Sequence, residues 1–433
     1  MTIGIRREDK NKWEKRVPLV PKDLKFLKEK YGINTIIQPS DIRSYRADDF
    51  RNSGVTVNED LSNAGVVFAI KEIPKELFLK GKTYVFFSHT LKGQSYNMSM
   101  LKRLMDLECN LIDYEKIVNS KGQRLVFFGN YAGYAGMIDT LNLLGEKLKL
   151  QGLDTPLTKI KRPLDYASLQ EAKESIKLVG EEINEKGLPH KLAPVIFGFA
   201  GYGNVSRGAQ EILDILPHKV ISPEILPTIH NSLTLDNRNI YKVVFREEHL
   251  FRRNEGNFEL SDYYNNPGNY DSRFETYIPY LTVLMNCIFW TEKYPRIVTK
   301  KYLRDAELRE NQKLRFIGDI SCDIDGAIEI THKITTPDHP VFTYDPVTET
   351  YNDGILGEGI TLMSIDNLPC ELPNESSAAF SSLLLSYVPE ISKTDFSKSY
   401  EELELSQDIK NGLILHKGKF TEPFHYMQKF LKG

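Results

Sequence analysis

One stretch constrains the fold of this chain more than any other: APVIFGFAGYGNVSRGAQEIL, residues 193–213. An apolar run of strand length stops at Gly201, further glycines stand at Gly203 and Gly208, and an amphipathic helical pattern follows. Strand, tight turn and helix in that order open a parallel α/β unit. Glycines in such a turn let backbone approach a pyrophosphate, and the helix start offers free N–H groups and a positive dipole end. The spacing is GxGxxxxG, not the commoner GxGxxG, so the motif by itself fits a turn that binds nothing equally well. Its strand–turn–helix context favours a dinucleotide.

The flanking sequence repeats the α/β theme. Thr2–Ile5, Asn34–Gln38, Gly65–Lys71, Thr83–His89 and Asn110–Tyr114 read as short strands, with a helix over Pro21–Lys30 among them. Helical spacing continues over Ala132–Leu150 and Leu169–Lys186, the second with Ala172, Ile176, Val179 and Ile183 on one face. The helix after the glycine turn reads as Ser206–Leu216. Strands are expected at Lys219–Ser222, Leu281–Phe289, Leu314–Ile320 and Thr361–Ile365, and Asn374 is the expected cap of an apolar helix through Phe380 and Leu384. With 433 residues the chain exceeds one ordinary core. We expect two α/β, Rossmann-like domains: a substrate domain from 1–132 plus 368–433, and a dinucleotide-binding domain from 133–367.

A net charge of −3 gives no reason to expect nucleic acid or an anionic membrane as partner. The basic residues Arg6, Arg7, Lys10, Lys12 and Lys15 alternate with Glu8, Asp9 and Glu14, which reads as a solvated surface. No signal-peptide core or membrane-length apolar run is present, and Cys109, Cys287, Cys322 and Cys370 lack CxxC spacing. A cytoplasmic protein with reduced thiols is the expectation. The nine histidines form neither HxxH nor HExxH, so no metal is expected.

Lys71 and His89 each end an expected strand, AGVVFAIK and KTYVFFSH. Neighbouring parallel strands would bring both to the ligand-binding edge of an open sheet, where lysine and histidine make an acid–base pair. The plainer alternative is a solvated lysine and a hydrogen-bonded histidine. Glu72 is expected on the opposite face, in a structural role. Arg16 and Arg124 are candidate carboxylate clamps, because guanidinium pairs bidentately with carboxylate. Asp319, Asp323 and Asp325 lack the remainder of a calcium loop and read as polar groups at a cleft edge. About 20 residues past the glycine turn, an NAD site places an acid for the ribose. The expected strand there ends in Ser222, with Glu224 beyond it, which leans toward NADP(H) over NAD(H).

Taken together, IGIRREDKNKWEKRVPLVP, KTYVFFSHTLKGQ, LIDYEKIV, FFGNYAGYAGMID, GYGNVSRGAQEILDILPH, GDISCDIDGAIE and MSIDNLPCELP resemble the lysine–2-oxoglutarate reductase and lysine-forming saccharopine dehydrogenase family of the alanine dehydrogenase superfamily. The resemblance implies two Rossmann-like domains with the active site in the interdomain cleft, and reductive condensation of lysine with 2-oxoglutarate to saccharopine through an imine. It implies Lys71 and His89 as catalytic residues and Arg16, Gln94 and Phe128 as amino-acid contacts, with Asp323 matching an aspartate of alanine dehydrogenases. It further implies that Gly201, Gly203, Asn204 and Val205 hold the cofactor at the turn, with Ile365, Asp366 and Leu368 near the nicotinamide. Ser222 departs from the family's acidic residue. The other readings are an alanine-dehydrogenase-type amino-acid dehydrogenase and a catalytically idle dinucleotide-binding regulator. Assembly into a homo-oligomer stays open.

Overall fold

The computed structural model describes residues 1–230, 236–307 and 313–431. They divide into two compact units, residues 1–128 with 373–433 and residues 129–372. Each is α/β, built on one eight-stranded sheet.

In the first unit the strands run Lys419–Phe420, Leu413–His416, Asn110–Asp113, Thr83–Phe86, Val66–Phe68, Thr2–Ile5, Asn34–Ile37 and Thr56–Val57 across the sheet. The inner pairs are parallel; Leu413–His416 joins Asn110–Asp113 antiparallel. Val66–Phe68, Thr83–Phe86 and Asn110–Asp113 are buried at every position, as in a parallel sheet covered on both faces. The Pro21–Tyr31 helix starts with proline, whose fixed φ suits a first turn, and ends at Gly32, φ +67°. The helix expected to be capped by Asn374 instead begins at Pro373 and runs to Leu384. Proline takes the first helical position and Asn374 falls inside the first turn. This helix packs on the N-terminal segment: the Val17 and Val20 N–H groups donate to Ser377 Oγ and Ser381 Oγ at 3.0 and 3.1 Å.

The N-terminal charged run is only in part the solvated surface its composition suggests: Asp9, Lys10 and Lys12 are exposed, while other charged side chains turn inward. Arg6, Glu8, Glu14 and Arg16 are all buried. Arg6 pairs with Asp9, and Arg16 with Glu14, so opposite charges compensate where the chain turns inward.

The second unit orders its strands Thr350–Asp353, Val341–Asp345, Ile360–Met363, Phe316–Asp319, Val283–Asn286, Ile196–Ala200, Ile240–Phe245 and His218–Val220. The six from Ile360–Met363 onward are parallel. Helix Leu169–Lys186 buries Ala172, Ile176, Val179 and Ile183 and is capped by Ser168, whose Oγ accepts from Glu171 N at 3.1 Å. The helix after the glycine turn spans Asn204–Leu213 and packs on Gly129–Leu150. Among the described residues, no helix is long and apolar enough to cross a membrane.

Candidate active site

Lys71 and His89 follow the C-terminal ends of adjacent parallel strands, Val66–Phe68 and Thr83–Phe86, paired Phe68 to Val85. Pairing continues past the strands, with Ala69 N bonded to Val85 O and Phe87 N to Ile70 O. Both residues therefore leave the same edge of the sheet, where open α/β folds bind ligands. His89 is held at φ +48°, a left-handed conformation costing about 1–3 kcal/mol for a residue with a Cβ. Asn97, buried at the start of helix Ser95–Asp106, secures that turn by donating to Ser88 O at 3.1 Å and His89 O at 3.2 Å. Ser88 itself donates to buried Asp113 at 2.5 Å.

Glu72 does not turn away from this edge. Its Oε1 lies 2.8 Å from His89 Nδ1, and Lys10 Nζ is also 2.8 Å away. Strand alternation placed it on the far face, but the strand ends at Phe68, four residues earlier, and the rule no longer applies. Burial works to raise the Glu72 carboxyl; hydrogen bonds and charge from His89 and Lys10 outweigh it and hold it well below the usual carboxylate range.

Beneath Lys71, Glu8 accepts the Ile70 and Lys71 N–H groups at 2.7 and 2.9 Å. Its burial, reinforced by the nearby Glu14 charge, raises the carboxyl to about 7. Arg16 donates to both Glu14 oxygens, at 2.7 and 2.6 Å, and its guanidinium lies 4.2 Å from the Phe128 ring centre. Phe128 stacks on Phe380 at 4.3 Å, and Phe87 bridges that pair to the His89 ring. Arg16, Phe128 and His89 thus belong to one aromatic and charged assembly. Gln94 precedes helix Ser95–Asp106, its Oε1 accepting from Lys92 N. Arg124 is drawn into a different contact: it is half exposed and pairs with Glu115.

In the second unit the glycine turn follows Ile196–Ala200 as expected. Gly201 has φ +95°, which a side chain resists, and a Cβ there would also meet Ile288 at 3.1 Å. A Cβ on Gly203 would meet nothing within 4 Å, and Gly203 caps the Asn204–Leu213 helix without a side-chain hydrogen bond. Space over an uncapped helix start, with Asn204 and Val205 in its first turn, fits a bound pyrophosphate. Gly208 has another use. Its Cβ would come 2.2 Å from Asn130 O, and one on Gly133 would come 2.1 Å from Val205 O, so these glycines let two helices touch.

Of the family-implied nicotinamide segment, Ile365 and Leu368 are buried in the core and only Asp366 is exposed. Asp319 is not at a cleft edge. It is buried, accepts from Thr331 and Asn286 at 2.6 and 2.8 Å, and burial lifts its carboxyl to about 6 despite those bonds. Asp323 lies half-buried in the loop beyond, its carbonyl accepting from Gly326 N at 2.9 Å. Among the described residues no group of three or more histidine, cysteine or acidic side chains is placed to hold a metal.

Two α/β units on mainly parallel sheets, with a glycine turn in one and a lysine–histidine strand edge in the other, give the chain the two-domain α/β architecture of the alanine dehydrogenase fold. The chain belongs to the alanine dehydrogenase/PNT family: residues 4–135 match its N-terminal domain and residues 291–423 its C-terminal domain. An L-alanine dehydrogenase structure superposes with a TM-score of 0.64 at 16% identity, covering 100% of this chain and 99% of that one, a likeness of fold. In sequence, the mouse (Mus musculus) mitochondrial alpha-aminoadipic semialdehyde synthase is 36% identical over 99% of this chain, which spans about half of that relative's length, 47%. The Arabidopsis thaliana synthase is 35% identical over the whole chain and 42% of its own length. Saccharopine dehydrogenase [NAD(+), L-lysine-forming] of Yarrowia lipolytica is 25% identical over 84% of this chain and 85% of its own.

Proposed function

We propose that this protein is a nicotinamide-dependent oxidoreductase that forms or cleaves saccharopine, joining L-lysine to 2-oxoglutarate through an imine. The observation that carries the reading is the His89–Glu72 pair, set by a strained backbone on the strand end beside Lys71. Resemblance to the semialdehyde synthases and the lysine-forming saccharopine dehydrogenases supports the choice of substrates.

The chemistry asks for such a pair. A free lysine amine has pKa near 10.4, so presenting it neutral at pH 7 costs about 4.6 kcal/mol. A base must take that proton, and an acid must later protonate the departing hydroxyl. Glu72 occupies His89 Nδ1, which leaves Nε2 to exchange protons with substrate. Lys71 is the second proton-transfer group. Arg16, held by Glu14 against Phe128 in the assembly that reaches His89, is the candidate contact for a substrate carboxylate. Gly201, Gly203, Asn204 and Val205 hold the dinucleotide, which supplies hydride; Asp366 and Asp323 are further contacts on that unit.

Oxidation of NADPH or NADH should require lysine and 2-oxoglutarate together, and ammonium should not replace lysine. Lys71→Met and His89→Gln should each lower turnover by about 100-fold or more while leaving cofactor binding intact. Turnover within about twofold of wild type would remove that residue from the mechanism.

A further inference from the structure

The second unit carries a basic cleft at the end of its sheet opposite the glycine turn. Gly201 leaves the C-terminal end of strand Ile196–Ala200, whereas Lys191, Arg315 and Glu358 stand ahead of Ile196–Ala200, Phe316–Asp319 and Ile360–Met363. A five-residue strand separates the two edges by about 16 Å. The cleft has a volume of about 490 Å³, within the range of small-molecule sites, and is lined in part by Lys147, Gln151, Lys191, Arg315, Gly357 and Glu358. Its charged lining is three cations and one carboxylate, in a chain whose formal charge is −3.

Among the described residues four cations are buried: Arg6, Arg16, Lys147 and Lys242. Arg6 pairs with Asp9, Arg16 with Glu14 and Lys242 with Asp214, as buried charge requires. Lys147, 1% exposed in the last turn of helix Gly129–Leu150, has no such carboxylate. Its Nζ donates to Gly357 O at 3.5 Å, longer than an ordinary hydrogen bond. Burial, with the Arg315 charge added, pushes its ammonium down to about 8 against the pull of Glu358. Arg315 is oriented by Gln151, whose Oε1 accepts from Nη1 at 2.8 Å, and Lys191 and Glu358 are exposed at the rim. We propose that this cleft binds a phosphate dianion, free or as the head of a small phosphoester, between Lys147, Arg315 and Lys191. One compact dianion meets several cations at once, taking N–H groups from the guanidinium fork and point charge from the ammonium groups. It supplies to Lys147 the counter-charge that carboxylates give the other three buried cations.

Calorimetric titration of the full chain with inorganic phosphate, in chloride at constant ionic strength, tests the site. Wild type should bind phosphate with a Kd of about 1 mM or below. Lys147→Met and Arg315→Gln should each weaken binding about tenfold or more, and Gly203→Ala, at the other edge of the sheet, should leave it within about twofold. In chloride alone Lys147→Met should melt no lower than wild type, because it keeps an apolar stem and removes an uncompensated buried charge. Phosphate should raise the melting temperature of wild type but not of this variant. Tighter binding of glycerol 3-phosphate than of phosphate would assign the ester; equal or weaker binding would assign the free anion. No phosphate binding by wild type, wild-type affinity in either Lys147→Met or Arg315→Gln, or loss of binding in Gly203→Ala would overturn the proposal. So would a Lys147→Met variant that melts several degrees lower in chloride, since the lysine would then be a structural strut.

Discussion

Glu8 shows how one buried carboxyl couples the N-terminal unit to pH. Burial, with the Glu14 charge added, lifts it from 4.5 to about 7. Between those values the folded chain holds a proton that the unfolded chain has released, so stability falls as pH rises through this window. The shift corresponds to roughly 3 kcal/mol. Glu8→Gln cannot titrate, so its melting temperature should change less than wild type's between pH 5 and pH 8. Equal pH dependence in the two proteins would show that the carboxyl is not displaced by its site. Residue identities at the lysine–histidine edge were legible in the sequence because strand ends are marked by charge after apolar runs. Side-chain direction was not. Glu72 faces His89 because the chain leaves regular strand geometry before reaching it, and Asn97 reaches the His89 turn from a helix that follows in sequence. Neither relation has a periodicity to betray it.

Three glycines of one motif do three jobs, and substitution should separate two of them. Gly208→Ala would place a methyl 2.2 Å from Asn130 O in the facing helix, where backbone must move. Overpacking of this kind costs about 1–3 kcal/mol, so the variant should melt several degrees lower. Gly203→Ala meets nothing and needs no positive φ, so its melting temperature should match wild type while dinucleotide affinity falls. Should Gly208→Ala melt like wild type, the helix contact would not need a glycine. The sequence showed the glycines but not this division, since Gly133, the partner of Gly208 in the helix contact, stands 75 residues earlier in an unremarkable helical pattern. Strand adjacency was hidden for a related reason. His218–Val220 is only three residues long and largely exposed, whereas Ile240–Phe245, which lies between it and Ile196–Ala200, begins 20 residues after Val220.

Over the molecule as a whole, two-domain α/β class was readable from alternating apolar runs and motifs spread along the chain. The return of the C-terminal segment has a physical signature that can be measured. Leu413–His416 extends the first sheet beyond Asn110–Asp113, Phe380 stacks on Phe128, and Ser377 and Ser381 accept N–H groups of the N-terminal segment. Residues 413–416 pair with the first unit's sheet, although more than 280 residues of intervening sequence, including all of 129–372, separate them from their partners. Native-state hydrogen exchange under rising denaturant should therefore show 413–416 losing protection together with 110–113 and 83–86. Residues 196–200 and 283–286 should follow their own dependence, since they share the other sheet. Exchange of 413–416 in step with the second sheet, or long before 110–113, would mean that the tail does not complete the unit carrying Lys71 and His89. The Phe380–Phe128 stack under Arg16 would then lose its footing, and with it the proposed carboxylate clamp.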